Sequence, residues 1–207
     1  MKSTFNSIGV IGTGVIGSGW IIRFLFNKKK VYVYDPNKKQ KEFLLSEIRR
    51  VKLSLSNIYK SKINIKNQLF FCNSIKEAVT NVDLIQENTP ENERIKIKII
   101  KKISESAKKN AIIASSSSGL LPSRIQMQCI NPGRMIIAHP FNPVYLLPLV
   151  ELVKGKKTTN SSIKKAEKFY TEIGMKTLKL KKELPGYLSD RLQESMWRES
   201  LHIINEG

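Results

Sequence analysis

Residues 8–17 read IGVIGTGVIG. A short apolar run leads into glycines at Gly12, Gly14 and Gly17, and a helical pattern begins directly after them, the G-x-G-x-x-G order of a dinucleotide-binding turn. In such a turn the first glycine lets the chain bend sharply out of its strand, the second lets backbone approach a pyrophosphate, and the third lets the helix pack close to the sheet. The free N–H groups of the helix N-terminus then face the phosphates. Val15 and Ile16 lie between the last two glycines and belong to the same expected contact surface. The segment Val31-Tyr32-Val33-Tyr34 reads as a second strand ending in Asp35, about 20 residues past the glycines, where a carboxylate accepts bonds from an adenosine ribose diol. These residues predict NAD as the cofactor, because a carboxylate repels the 2′-phosphate of NADP. The alternative is a structural turn in which Asp35 caps the next helix.

The chain has 207 residues, enough for one large domain or one domain and part of another. No stretch approaches the roughly 20 apolar residues of a membrane-spanning helix, and the opening Lys2, Ser3, Thr4 and Asn6 do not resemble a signal peptide. A soluble, cytoplasmic protein is the expectation. Cys72 and Cys129 stand in separate segments without metal-ligand spacing, so reduced thiols and no metal are expected. The formal charge of +19 would suit a nucleic-acid surface if the basic residues were clustered. They are instead spread over every helical segment without interleaved aromatics, so neither a nucleic-acid nor a membrane partner is expected. A basic surface still attracts acidic small molecules.

Taken in order, the chain predicts an α/β fold with a doubly wound, mostly parallel sheet of the Rossmann type. Residues 15–27 carry Ile16, Trp20, Ile21, Phe24 and Leu25 at helical spacing. A basic helix or helix pair runs from 37 to about 62, short strands occupy 69–72 and 82–86, and Ser74 caps a helix between them. The loop Glu87-Asn88-Thr89-Pro90 then falls at the carboxyl end of a strand, where an open parallel sheet holds its cofactor. Residues 91–109 form a long helix with Ile95, Ile99, Ile103 and Ala107 as its apolar line. A strand at 111–114 opens into a serine loop ending at Ser118, and a strand at 135–138 opens into the proline-flanked loop that carries His139. Residues 147–153 are an apolar strand in which Pro148 suggests an edge or bulge. A helix at 161–173 and a strand at 177–180 follow, and Pro185-Gly186 marks a boundary. This divides a dinucleotide-binding domain at 1–184 from residues 185–207, the expected first helix of a second, helical domain.

Histidine is the commonest general base near neutral pH, and His139 lies at a strand end while the only other histidine, His202, sits inside the last helical segment. Glu151 follows twelve residues after His139, close enough in a hairpin-like return to hold one imidazole nitrogen and leave the other for substrate. A hydrogen-bonded structural pair is the alternative. Asn142 and Ser118 offer polar groups from adjacent strand-end loops.

The stretches GTGVIGSG, ASSSSGLLPS, HPFNPVYLLPLVE and PGYLSDRLQE together resemble the 3-hydroxyacyl-CoA dehydrogenase superfamily over essentially the whole chain, and most of all its carnitine-oxidising branch. The resemblance implies NAD-dependent oxidation of a 3-hydroxy group on a small-molecule substrate, L-carnitine or a 3-hydroxyacyl-CoA, in a protein whose full-length relatives form homodimers. It implies His139 as catalytic base, Glu151 as the carboxylate that orients it, Ser118 as a contact to the substrate oxygen and Asn142 as the asparagine of the H-x-x-N-P motif. It also puts Glu87 and Asn88 on the nicotinamide side. Asp190 replaces an asparagine of the acyl-CoA enzymes, and an acid there suits a cationic substrate, unless it only pairs with Arg191. Trp197, Tyr145 and Phe141 are candidates for an aromatic wall against a trimethylammonium group, the alternative being core packing. Arg124 and Arg191 are candidates for a substrate carboxylate. The resemblance also implies a longer helical second domain, with this chain ending one helix into it.

Overall fold

The computed structural model describes residues 5–207; the opening Lys2, Ser3 and Thr4 lie outside the described residues. β1 (Ser7–Ile11), α1 (Val15–Phe26) and β2 (Lys30–Tyr34) make the first strand–helix–strand unit. They are followed by α2 (Lys39–Tyr59), α3 (Ile65–Gln68), β3 (Leu69–Phe71), α4 (Ile75–Val79) and β4 (Leu84–Glu87). The second half holds α5 (Glu93–Ser106), β5 (Ile112–Ser115), α6 (Pro122–Ile125), β6 (Met135–Pro140), β7 (Leu149–Lys154), α7 (Asn160–Glu172), β8 (Lys176–Leu180) and α8 (Ser189–Glu206). The eight strands form one sheet in the order β3-β2-β1-β4-β5-β6-β7-β8. The first six run parallel, while β7 is antiparallel to β6 and parallel to β8. This is the expected Rossmann-type sheet. The chain reverses its direction of travel between β1 and β4, and the crevice at the carboxyl ends of those strands is where such a fold takes its ligand.

Two apolar cores cover the sheet faces. From Gly17 onward every residue of α1 is buried, and Trp20 stacks on Phe24 with ring centroids 5.4 Å apart and meets Tyr170 of α7 at 5.3 Å. Arg23 is also buried within this helix, donating to the Val144 carbonyl at 2.7 Å and the Ile173 carbonyl at 3.1 Å. It thereby ties the loop after β6 to the end of α7.

Four local expectations need correction. His139 and Pro140 belong to β6 rather than to a loop after it. β7 is not an edge strand: β6 and β8 flank it, and Pro148 lies just before it, with its carbonyl accepting the Lys176 amide. α5 buries Lys96, Ile100, Ile103 and Ser104, whereas Ile95 stands 41% exposed. Ile99 and Ala107 of the expected line are partly buried against the same core, and the buried face also takes in Lys96, whose ammonium reaches a buried carboxylate, a partner that periodicity cannot reveal. The last helix begins at Ser189 rather than at Tyr187, which is fully buried at a backbone φ of +44°.

Candidate active site

The glycine turn sets one wall of the crevice. Gly12 has φ +87°, and a Cβ there would sit 2.7 Å from the Asn88 carbonyl oxygen; a Cβ on Gly17 would sit 2.0 Å from the Gly12 carbonyl oxygen. Both positions therefore need glycine to bring β1, α1 and the β4 loop together. Gly14 differs, since a Cβ there meets nothing within 4 Å, and the open space lies where backbone would approach a pyrophosphate. Gly17→Ala is expected to destabilise the fold by about 1–3 kcal/mol, as overpacking does. Gly14→Ala is expected to leave the melting temperature nearly unchanged and weaken NADH binding about tenfold or more. Melting curves and NADH titration of the two variants test this, and tight NADH binding by Gly14→Ala would remove that glycine from the cofactor contact.

Asp35 ends β2 and faces the turn. Its Oδ2 accepts the Thr13 amide at 2.8 Å and the Thr13 hydroxyl at 3.2 Å, and its Oδ1 accepts the Asn37 amide at 2.8 Å. Val15 is 59% exposed at the start of α1, and Ile16 lines the cavity below the serine loop. These groups fit a dinucleotide: a glycine with free space above it, a helix N-terminus and an acid at the end of β2.

The serine run resolves into three clamps and one free group. The Ser115 hydroxyl donates to Glu87 Oε2. The Ser116 hydroxyl donates to Asn88 Oδ1 at 2.8 Å and accepts from Gln86 Nε2 at 2.9 Å and Trp20 Nε1 at 3.0 Å. The Ser117 hydroxyl donates to Glu91 Oε1. Glu91 Oε1 also takes the amides of Ser118 and Gly119 at 3.0 and 3.2 Å. Among the described residues the Ser118 hydroxyl alone of the four makes no hydrogen bond, and Ser118 lines a cavity of about 320 Å³ with His139, Asn142 and Asp190.

Glu87 departs from its expected role on the nicotinamide side. It is fully buried, and its carboxylate is taken up by the Thr89 amide and hydroxyl, by Ser115 and by Lys96 Nζ at 3.0 and 3.1 Å. Its place on β4 turns the side chain beneath the loop, so it shapes the loop from within. Asn88 lies between the glycine turn and the serine loop, bonded to Ser116 and to the Gln86 carbonyl.

His139 and Glu151 face each other directly in the antiparallel pairing of β6 with β7, and direct cross-strand neighbours share a face. His139 Nδ1 is 2.8 Å from Glu151 Oε2, with Glu151 fully buried and His139 only 6% exposed. The other Glu151 oxygen accepts the amides of Leu188 and Ser189 at 3.1 and 3.0 Å, at the start of α8. Burial works to raise the Glu151 pKa, but the hydrogen bonds from His139 and Ser189 and the His139 charge outweigh it and hold the carboxyl below its ordinary 4.5. A depressed carboxylate stabilises the folded state above its ordinary pKa, and the contribution is lost as pH falls through the lowered folded value.

The aromatic candidates separate. Phe141 meets the His139 ring at 5.6 Å and shares an open groove of about 920 Å³ with Asp190 and Trp197 of α8, while Tyr145 lines a different cavity of about 270 Å³ beside Phe43 and Arg50. One wall built from all three is therefore ruled out by the loop path, which carries Tyr145 toward α2, where its carbonyl accepts the Tyr59 hydroxyl at 2.8 Å. Asp190 stays at the cavity. Burial lifts its pKa first of all, His139 opposes that, and Glu151 and Glu91 add to it. Arg124 is paired with Glu93 at 2.8 Å, and neither it nor Arg191 lines the cavity. Sequence reasoning missed Tyr187, whose ring lies 5.6 Å from His139 and whose hydroxyl donates to the Leu120 carbonyl at 2.7 Å. The Pro185-Gly186 turn before it was the available signal.

A glycine turn at a sheet crossover, backed by an acid at the end of β2, defines a dinucleotide-binding domain. Residues 7–184 match the NAD-binding domain of 3-hydroxyacyl-CoA dehydrogenase, and the chain belongs to that family. It is 44% identical to an L-carnitine dehydrogenase of Oceanobacillus iheyensis over 202 residues, covering 98% of this chain and 66% of the relative. It is equally similar to an L-carnitine dehydrogenase of Bacillus cereus, of which it covers 63%. The chain thus spans somewhat less than two thirds of the length of these curated relatives. Among solved structures, a 5-formyl-3-hydroxy-2-methylpyridine 4-carboxylic acid 5-dehydrogenase, an NAD+ dependent dismutase, superposes with TM-score 0.89 at 26% identity, covering 98% of this chain and 66% of that one. A diketoreductase matches in fold with TM-score 0.90 at 24% identity, covering all of this chain and 75% of that one.

Proposed function

We propose that the chain carries the NAD-dependent oxidation of the 3-hydroxy group of L-carnitine to 3-dehydrocarnitine. The observation that carries this reading is the His139–Glu151 pair at 2.8 Å, set at a cavity that also holds Ser118, Asn142 and Asp190. Bound NAD would supply the acceptor for the hydride lost from C3 as the alcohol becomes a ketone. Glu151 holds the Nδ1–H of His139, so Nε2 is the free base that takes the hydroxyl proton, and the carboxylate stabilises the imidazolium that results. Ser118 and Asn142 hold the substrate oxygen in line.

Asp190 faces the trimethylammonium end of the substrate, with Phe141 and Trp197 offering ring faces in the adjoining groove. The names of the relatives at 44% identity support this substrate. Residues 185–207 begin a second, helical unit, a reading supported by α8 burying none of its residues. The test is NADH formation with L-carnitine and with 3-hydroxybutyryl-CoA offered separately, for the unsubstituted chain and for Asp190→Asn. Carnitine turnover is expected, with KM raised about tenfold in the variant, the effect of one lost charge contact. Turnover of the thioester alone would overturn the substrate assignment.

A further inference from the structure

Along the same crevice from the His139 cavity, a cavity of about 250 Å³ is lined by Thr13, Asp35, Asn37, Lys38, Lys41 and Phe71. The Asp35 carboxylate borders it with three protein hydrogen bonds, two on Oδ2 and one on Oδ1, leaving an acceptor direction on Oδ1 for a ribose hydroxyl. Two lysines, Lys38 and Lys41, line the same cavity. Lys41 Nζ lies 4.8 Å from the centroid of the Phe71 ring, a contact that pins it to the cavity wall. Lys38 is the residue immediately before α2. Among the described residues neither lysine makes an ion pair.

This juxtaposition is unneeded for a dinucleotide whose ribose carries only hydroxyls. We propose that Lys38 and Lys41 form a latent site for a 2′-phosphate on the adenosine ribose, closed by the charge of Asp35 alone. The inference rests on the NAD-binding assignment and deepens it. A dianionic phosphate on that ribose would meet the Asp35 carboxylate at contact distance, and the nearest charge dominates because Coulomb energy falls with separation. Without that negative charge, two ammonium groups remain to make charge-assisted contacts to the phosphate oxygens. The ligand class admitted is then a 2′-phosphorylated dinucleotide or its 2′-phospho-ADP-ribose half.

The test is direct binding, read from the fluorescence of NADH and NADPH titrated into the unsubstituted chain and into Asp35→Asn and Asp35→Ser. Asp35→Asn keeps an oxygen to accept the Thr13 amide, and melting curves identify which variants retain the fold. The unsubstituted chain is expected to prefer NADH about 100-fold. Either folded variant is expected to gain about tenfold or more for NADPH while losing affinity for NADH. The gain should shrink as salt is raised and vanish when Lys38→Ala and Lys41→Ala are added to the Asp35 variant. A folded variant that binds NADH and gains nothing for NADPH overturns the proposal, as does a gain that survives loss of both lysines. Binding of neither dinucleotide by the unsubstituted chain is a different result, which would overturn the cofactor assignment and this inference with it.

Discussion

Turnover of L-carnitine by the His139→Ala variant is expected to fall by about 10²–10⁴, the usual worth of a positioned general base, with NADH affinity held within about twofold. The split follows from where His139 stands. It sits near the carboxyl end of β6, two strands beyond β4 and the crossover, and its imidazole reaches the cavity shared with Ser118 and Asn142. Loss of the ring leaves Glu151 still bonded to the Leu188 and Ser189 amides, so the carboxylate is not stranded. Initial rates of NADH formation beside an NADH titration test this. Unchanged turnover would return His139 to the role of a buried structural partner.

The second large effect concerns stability. Lys96 is 1% exposed in its side chain and binds both oxygens of Glu87, which is 0% exposed, together with the Thr89 carbonyl at 3.0 Å; Glu91 lies 3.7 Å away. Removing one partner of a buried ion pair leaves the other charge uncompensated, at a cost of about 3–5 kcal/mol. Lys96→Met is therefore expected to lower the melting temperature by roughly 10 °C or more. Adding Glu87→Gln removes the stranded charge and should restore much of the loss, because buried pairs replaced on both sides are often nearly neutral. Denaturant melts of the single and double variants measure the coupling. Equal destabilisation in both would mean that lost packing, not the uncompensated charge, is responsible.

The sheet and the positions of its glycines were legible because they depend on local rules. Gly12, Gly14 and Gly17 announce a turn whatever surrounds it, and apolar runs such as residues 135–138 announce buried strands. His139 and Glu151 were legible as a pair because a hairpin-like return needs only spacing. What sequence could not carry were partners distant in the chain. Lys96 reads as one more solvated lysine in a chain of net charge +19, and only the fold brings it beneath Glu87. Glu87 itself was expected at the cofactor, because a strand-end position does not say whether its side chain points into the crevice or under the loop. Tyr145 and Trp197 stand alike in sequence as candidates for one aromatic wall, yet the loop after β6 sends one toward α2 while α8 carries the other over the groove.

The direct facing of His139 and Glu151 across β6 and β7 has a hereditary consequence. Strand side chains alternate in parity, so a shift of one residue would turn Glu151 to the opposite face of the sheet. The segment between the strands can change in length without disturbing that parity, because it is a loop and not part of the ladder. Insertions and deletions therefore fall into two kinds here: those in the connecting loop, which alter the mouth of the cavity, and those inside β7 ahead of Glu151, which separate the two halves of the dyad at a stroke. Drift in this part of the chain is steered toward the loop by the arithmetic of odd and even.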